Sequence, residues 1–486
     1  MTEEIAKPQH LIGGQWIDGN GSDRFAVYNP ARGEQVAELT SAGEADVNDA
    51  VAAAAAAFPS WSAMSLQRRV QYLYKMRQNL LDNVESLGRI LSLDQGKTLA
   101  EAQAEVGRAA EVIETAIAMP MLYHNKSGNV ARGIDARHIR TPLGVCAAIT
   151  PLNFPVMNPS QFSAWALVTG NTLVLKASET DPLASTGAIR LFQAVGLPDG
   201  VLNLVHGGAD VAKALIAHPT VRAVSGITSS PVAKAIYEQA TALGKRVQAN
   251  GGAKNPIVVA DDADLDLAAE GIVSSAFGMA GQRCLAGTRI VAQSPIFDKL
   301  IEKVADISDK LVLGAGLDPE TTMGPVVTAA SKKRLVDAID AAERYGATIV
   351  RDGRNAEPTT ASATADGYFV APTIITGLPT TEAAEHNELF GPVIVVHRAE
   401  NHDEALEIAN NTDFGNAATI YTTSGSVAAH YERRLQAGNI GVNTFPAPPF
   451  NFTMGGLGDS FYGESHICGD APMDFYTENK LVVTRW

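Results

Sequence analysis

The sequence predicts an α/β protein with two parallel sheets, each covered by helices, and three observations carry that expectation. The chain has 486 residues, well past the roughly 250–300 at which one hydrophobic core stops growing, so more than one domain is expected. From about residue 144, short apolar segments alternate with helical ones, the rhythm of βαβ units with parallel strands. The same rhythm resumes after residue 255, which predicts a second unit of the same class.

Taken in order, residues 44–123 are helical in pattern. Val70, Leu73, Leu80, Val84, Leu87 and Leu91 recur at the spacing of one helix face, and Asp94-Gln95-Gly96-Lys97 breaks that helix from the next. Between 125 and 146, Gly128, Gly133 and Pro142 punctuate a short polar–apolar alternation expected of a strand ribbon. The first parallel unit reads as strands at 144–150, 172–176, 202–206, 221–225 and 246–249, with helices running to 170 and to 194 and at 211–217 and 232–243. In the second unit, strands are expected at 256–259, 289–293, 346–350 and 393–397, with a helix through Ser274. The tail from 480 to 486 alternates and is apolar enough to pair as a strand.

Composition narrows the function classes. With 46% hydrophobic and 19% charged residues the chain is ordinary for a globular protein. A formal charge of −15 without any Lys/Arg-rich block argues against nucleic acid as a partner. No apolar run reaches the ~20 residues a bilayer needs, so no membrane span is expected. The polar, acidic start at 1–7 reads as neither a signal peptide nor a presequence, and a cytoplasmic location is the expectation. Three cysteines, Cys146, Cys284 and Cys468, make no disulfide framework and suit a reducing compartment. The ten histidines form no HExxH or paired spacing, so no metal site is expected.

Cys284 is the candidate nucleophile. It lies in Gly278-Met279-Ala280-Gly281-Gln282-Arg283-Cys284-Leu285-Ala286-Gly287, where small neighbours admit a substrate and the adjacent arginine is expected to favour the thiolate. The bland alternative is an inert core cysteine. Two glycine motifs are decoys. Gly96-Lys97-Thr98 mimics the end of a phosphate-binding loop, but Leu91 stands where the first glycine is required; Gly314-Ala315-Gly316 and Gly456-Leu457-Gly458 lack the third glycine of a dinucleotide fingerprint. A thiol hydrolase or acyltransferase, and a binding protein without turnover, stand beside a dehydrogenase as rival readings.

Four spaced motifs resemble the aldehyde dehydrogenase superfamily: Thr150-Pro151-Leu152-Asn153-Phe154-Pro155, Leu175-Lys176-Ala177-Ser178-Glu179, Gly281-Gln282-Arg283-Cys284 and Glu388-Leu389-Phe390-Gly391-Pro392. Gly207-Gly208, the run from Lys245 to Asn250, Gly252-Ala253-Lys254-Asn255 and the ending from Phe475 to Trp486 are most similar to the CoA-acylating methylmalonate/malonate-semialdehyde branch. The resemblance implies that Cys284 attacks an aldehyde, and that the Asn153 side chain and the Cys284 backbone N–H stabilise the oxyanion. It implies NAD as cofactor, bound through Thr150, Leu152, Lys176, Glu179, Thr180, Ser229, Gly251, Glu388 and Phe390, with Glu179 favouring NAD over NADP by repelling a 2′-phosphate. Arg108 and Arg283 would take the substrate's carboxylate. Asn250 stands where hydrolytic relatives carry a glutamate base. An amide cannot accept that proton, which implies coenzyme A as the acyl acceptor. Gly226-Ile227-Thr228-Ser229-Ser230 departs from the family's Phe-x-Gly-Ser-Thr run, and 158–162 is more polar than its equivalent.

The resemblance also implies a cofactor domain in two parts, 1–124 and 147–255, and a catalytic domain at 256–455. A ribbon at 125–146 would be completed by 456–486 and used for oligomerisation as a homodimer or homotetramer. The alternative product is a free carboxylic acid.

Overall fold

The computed structural model describes residues 7–122, 125–380, 383–447 and 449–485. The readings made on 1–6 and on Trp486 lie outside the described residues. Four helices open the body of the chain: Glu44–Ala63, Leu66–Asp82, Val84–Gln95 and Leu99–Leu122. The apolar face expected to be one helix from 70 to 91 is two, because Asn83 leaves helical geometry (φ −119°, ψ 21°). The apolar stripe survives the break, since Val70, Leu73, Leu80, Leu87 and Leu91 all enter one core cluster. Gly96 ends the third helix at φ +93°, a left-handed cap that suits glycine.

The first large sheet has eight strands. Five are parallel, in the order Leu202–His206, Thr172–Ala177, Val145–Ile149, Val221–Ile227 and Arg246–Asn250. They match the expected strands to within two residues at either end. The strand order reverses between Val145–Ile149 and Val221–Ile227, and the crevice at the carboxyl ends beside such a switch is where open α/β sheets bind ligands. Thr150, Ser178-Glu179, Thr228 and Gly251 all follow directly at those ends. The antiparallel edges, His10–Ile12 with Gln15–Ile17 and, on the far side, Phe461–Gly463, escaped the sequence reading because three residues carry too little periodicity.

The second sheet runs Thr348–Arg351, Thr373–Thr376, Val393–Ala399, Gly287–Gln293, Asn255–Val259, Ala417–Tyr421 and Asn439–Val442, parallel except for its first pair. Here the amino ends matter: Cys284 precedes Gly287, Glu388 precedes Val393 and Asn416 precedes Ala417. Four residues, 251–254, carry the chain from the carboxyl end of one sheet to the amino end of the next.

The ribbon is a separate antiparallel sheet of Ser127–Ala131, Ile134–Pro142 and Thr477–Arg485. It stops at 142 rather than 146, because buried Val145 and Cys146 already belong to the first sheet. Part of the 456–486 tail also leaves the ribbon, since Phe461–Gly463 pairs with Arg246–Asn250.

Candidate active site

Cys284 sits on a strained turn. After the helix Leu265–Phe277, Met279, Ala280 and Gly281 have φ of 53°, 51° and 71°. Two consecutive non-glycine residues in the left-handed region persist only where the surroundings over-determine them, and such strain clusters at functional sites. The surroundings are specific. The Met279 N–H donates to Glu101 Oε1 at 2.7 Å. A Cβ on Gly281 would lie 2.3 Å from the Gly391 carbonyl oxygen, so only glycine fits. Buried Gln282 accepts from Val327 N at 3.0 Å, and the Cys284 carbonyl accepts from Asn255 Nδ2 (2.9 Å) and Asn416 Nδ2 (2.8 Å). Glu101, Gln282 and Asn416 went unnoticed as functional in the sequence. Their signal is weak: a buried amide or carboxylate that binds backbone at long range has no local spacing.

Asn153 comes from the other sheet, in the turn between Val145–Ile149 and the helix Met157–Val168. It is buried, and its Nδ2 donates to the Gln282 carbonyl at 3.1 Å, two residues before Cys284. The structure therefore brings the predicted side-chain donor and the predicted nucleophile together. Asn250, buried at its strand end, donates from Nδ2 to the Gly226 carbonyl at 3.1 Å. Gln161, in the unusually polar segment, is buried and donates to Cys468 Sγ at 3.5 Å.

Arg283 favours the Cys284 thiolate, as expected, but other influences outweigh it. Burial pushes the Cys284 thiol up to about 11, and the nearby Glu388 carboxylate pushes the same way; Arg283 offsets them only in part. The reason is where the guanidinium goes. Arg283 Nη2 donates to the carbonyls of Ser274 and Ser275, and the group lies 5.0 Å over the Phe445 ring. Glu388 is itself pushed up to about 7 by burial, against the Ala253 N–H that it accepts at 3.0 Å and the cations Lys254 and Arg334. Removing its charge removes a repulsion that opposes the thiolate. Glu388→Gln is thus expected to speed alkylation of Cys284 by iodoacetamide at pH 8, with the rate profile displaced to lower pH; an unchanged or higher apparent thiol pKa contradicts this.

Arg108 is held on its own helix and on an aromatic ring. Its Nη1 meets Glu111 at 2.5 Å, while the guanidinium stacks at 4.0 Å on Phe450. Both arginines nevertheless lean on rings of one segment, Phe445 and Phe450, which the sequence reading passed over.

The residues assigned to a cofactor gather at the carboxyl ends but in two groups. Ser229 and Glu388 line one cavity of about 810 Å³ beside the start of the helix Ser230–Ala242, together with Arg334 and Phe414. Glu179 and Thr180 line a second, of about 480 Å³, with Phe25 and Tyr368. Lys176 Nζ and Glu179 Oε2 are 2.7 Å apart and form an ion pair whose ammonium is buried. Thr150 N donates to the Lys176 carbonyl at 3.0 Å, and its hydroxyl is buried without a protein partner. Leu152 is half-buried in the next turn, and Phe390, at φ +52°, is half-buried beside Gly391. A Cβ on Gly251 would meet the Asp459 carbonyl at 2.4 Å, and one on Gly252 would meet Glu388 Oε2 at 2.4 Å. An unpartnered hydroxyl, glycine-lined backbone and an adjoining cavity at the switch point fit a nicotinamide dinucleotide. Among the described residues no group of three or more His, Cys, Asp or Glu is placed to hold a metal ion.

Known proteins share this arrangement over its whole length. The description "Aldehyde dehydrogenase family" matches residues 16–482. Malonate-semialdehyde dehydrogenase 2 of Bacillus thuringiensis (strain Al Hakam) is 41% identical over 488 residues, covering 100% of this chain and 99% of that protein. Malonate-semialdehyde dehydrogenase 2 of Geobacillus kaustophilus (strain HTA426) is 40% identical over 488 residues, with 100% of both chains covered. The crystal structure of methylmalonate-semialdehyde dehydrogenase from Oceanimonas doudoroffii superposes with a TM-score of 0.96 at 36% identity, covering 99% of each chain. A Sinorhizobium meliloti structure complexed with NAD gives 0.96 at 35% identity, covering 100% of this chain and 99% of that one. A family match over residues 16–482, with relatives about 40% identical across essentially the whole chain, settles the lineage: the chain belongs to the aldehyde dehydrogenase family.

Proposed function

We propose that the protein oxidises a small carboxylate-bearing semialdehyde, of the malonate or methylmalonate type, with NAD, through a thioester on Cys284 that is handed to coenzyme A. The relatives' names support the semialdehyde, and the NAD complex of a structural neighbour supports the cofactor. The observation that carries the acylating part is Asn250, an amide bound to the Gly226 carbonyl where a water-activating carboxylate would otherwise stand.

Each residue then has a task. The Cys284 thiolate adds to the aldehyde carbon, and the new oxyanion is received by Asn153 Nδ2 and the Cys284 backbone N–H. Bound NAD supplies the hydride acceptor. Thr150, Leu152, Lys176, Glu179, Thr180, Ser229, Gly251, Glu388 and Phe390 would hold it. Arg108 and Arg283 receive the far carboxylate, each braced on a phenylalanine. In the resulting thioester a carboxylate one carbon from the carbonyl can depart as CO₂, the C–C bonding pair passing into a thioester enolate that takes a proton from water at carbon. Asn250 leaves water unactivated, so the acyl group waits for the thiol of coenzyme A.

Assay of malonate and methylmalonate semialdehyde with NAD, with and without coenzyme A, tests the proposal. NADH release accelerated by coenzyme A, with acyl-CoA as product, is expected. Equal steady rates in both conditions reject acylation. Asn250→Glu is expected to release free acid without coenzyme A, because it restores a base at the thioester. The second reading, direct release of the free acid, draws on Glu388: a carboxyl raised to about 7 and close enough to influence Cys284 has the affinity of a general base near neutrality.

The proposal extends to organisation. Residues 1–124 with 143–255 form the cofactor unit and 256–455 the catalytic unit. The ribbon and tail join a homodimer or homotetramer, for which exposed Val130, Leu481 and Val483 supply apolar surface. No helix among the described residues is long and apolar enough to cross a membrane. Free Cys146, Cys284 and Cys468 support a reducing, cytoplasmic setting.

A further inference from the structure

The decoy Gly96-Lys97-Thr98 has a use of its own. It is a buried turn pinned between the two units: Ser92 Oγ donates to the Lys97 carbonyl at 2.7 Å, and Leu99 N donates to the Gly316 carbonyl at 2.8 Å. A Cβ on Gly316 would lie 2.0 Å from the Lys97 carbonyl oxygen, and one on Gly324 would lie 2.0 Å from that of Gly96. Thr98 then caps the helix Leu99–Leu122 in a reciprocal capping box, its N–H and Oγ1 each 3.0 Å from Glu101 Oε2 and the Glu101 N–H 3.2 Å from Thr98 Oγ1.

Two carboxylates of that helix reach in different directions. Glu101 Oε1, the oxygen the cap leaves free, accepts the Met279 N–H at 2.7 Å and so grips the turn that leads to Cys284. One helical turn on, about 6 Å along the axis, Glu105 Oε1 accepts the N–H groups of Val156 (2.8 Å) and Met157 (3.0 Å), just beyond Asn153. Its other oxygen meets Lys97 Nζ at 2.5 Å, and that ammonium donates onward to the Asn153 carbonyl at 2.9 Å. Lys97 and Glu105 side chains are 0% and 1% exposed. A buried pair costs desolvation, so its geometry must be well satisfied; here every bond ends on the turn that presents Asn153.

We propose that Glu101, Glu105 and Lys97 are positioning residues: this helix is a spacer that sets the separation and orientation of Asn153, carried by one sheet, and Cys284, carried by the other. The catalytic consequence rests on the roles assigned to Asn153 and Cys284 above; the mechanical one does not. Neither carboxylate touches the reacting atoms. What they control is whether both oxyanion donors point at one place, and a misplacement of about 1 Å there can cost on the order of 10²-fold in rate.

The test separates the two layers. By backbone hydrogen exchange on the full-length protein, Glu101→Ala is expected to deprotect the segment around Met279 while leaving 156–160 as in wild type, and Glu105→Gln is expected to perturb 153–157 while leaving 278–284 unchanged. In turnover, Glu101→Ala is expected to lower kcat on the order of 10²-fold with KM for NAD little changed. Glu101→Gln, which keeps one acceptor at the same reach for the Met279 N–H but turns its NH2 toward the Thr98 N–H, should recover part of it, and Glu101→Asp, one methylene shorter, should recover less. Unchanged exchange at Met279 in Glu101→Ala overturns the proposal, as does Asp rescuing better than Gln. Should Glu101→Ala not fold, the contrast between Glu101→Gln and Glu101→Asp decides the question by itself. If wild type oxidises no semialdehyde, the functional reading fails while exchange still judges the spacer.

Discussion

Serine in place of Cys284 is expected to abolish aldehyde oxidation, with kcat/KM down on the order of 10³-fold or more, at least about 4 kcal/mol of transition-state stabilisation. The loss is chemical rather than structural. The residue is half-buried and its carbonyl is held by Asn255 and Asn416, so the turn should persist in the variant. A serine hydroxyl at the same site faces the same burial and the same Glu388 charge that already push the thiol up to about 11. It begins from a far weaker acid, so an alkoxide is out of reach. Mass spectrometry of wild-type enzyme quenched during turnover without coenzyme A should find one acyl adduct, on the peptide carrying Cys284. Full turnover by Cys284→Ser, or an adduct elsewhere, would falsify the thioester route.

Asn153→Ala is expected to cost about 10²–10³ in kcat, roughly 2.7–4 kcal/mol, the scale measured for loss of one preorganised oxyanion donor. Asn153 is 3% exposed, and what its backbone gives to Lys97 survives the change, so the carbonyl that anchors the turn stays in place. The donor alone is lost. Nucleophilicity should survive: iodoacetamide ought to modify Cys284 in Asn153→Ala at near the wild-type rate, because alkylation develops no oxyanion. A parallel fall in alkylation would mean that Asn153 acts by holding the Cys284 turn through its bond to the Gln282 carbonyl. That outcome would place the residue among the positioning groups.

The legible part of the molecule follows from local physics. Strands such as Val145–Ile149 are continuous apolar runs, preceded by Gly144 and followed by Thr150 and Pro151, the pattern of a fully buried parallel strand. The helix Leu99–Leu122 lies where the pattern is helical after the Asp94-Gln95-Gly96-Lys97 break. Thr373–Thr376 and Asn439–Val442 were missed because four residues have no period to measure. At the site, Cys284, Asn153, Asn250 and Glu388 could be named from motifs, since each motif is contiguous. The direction of Arg283 could not. Its neighbour in sequence is Cys284, yet its hydrogen bonds are to Ser274 and Ser275, and the sign of its influence on the thiol is outweighed by burial and by a carboxylate more than a hundred residues away.

Order along the chain thus sufficed for the class of fold and the lineage and for naming candidate reactive groups, because periodicity and contiguous motifs are properties of neighbouring residues. Folding in space settled the rest: which oxygen Glu101 offers to Met279, how Lys97 reaches the Asn153 carbonyl, and how far the thiol lies from its usual acidity. Electrostatic energy and hydrogen bonding depend on distance through the folded protein and on exclusion of water, and neither quantity is written in the spacing of letters.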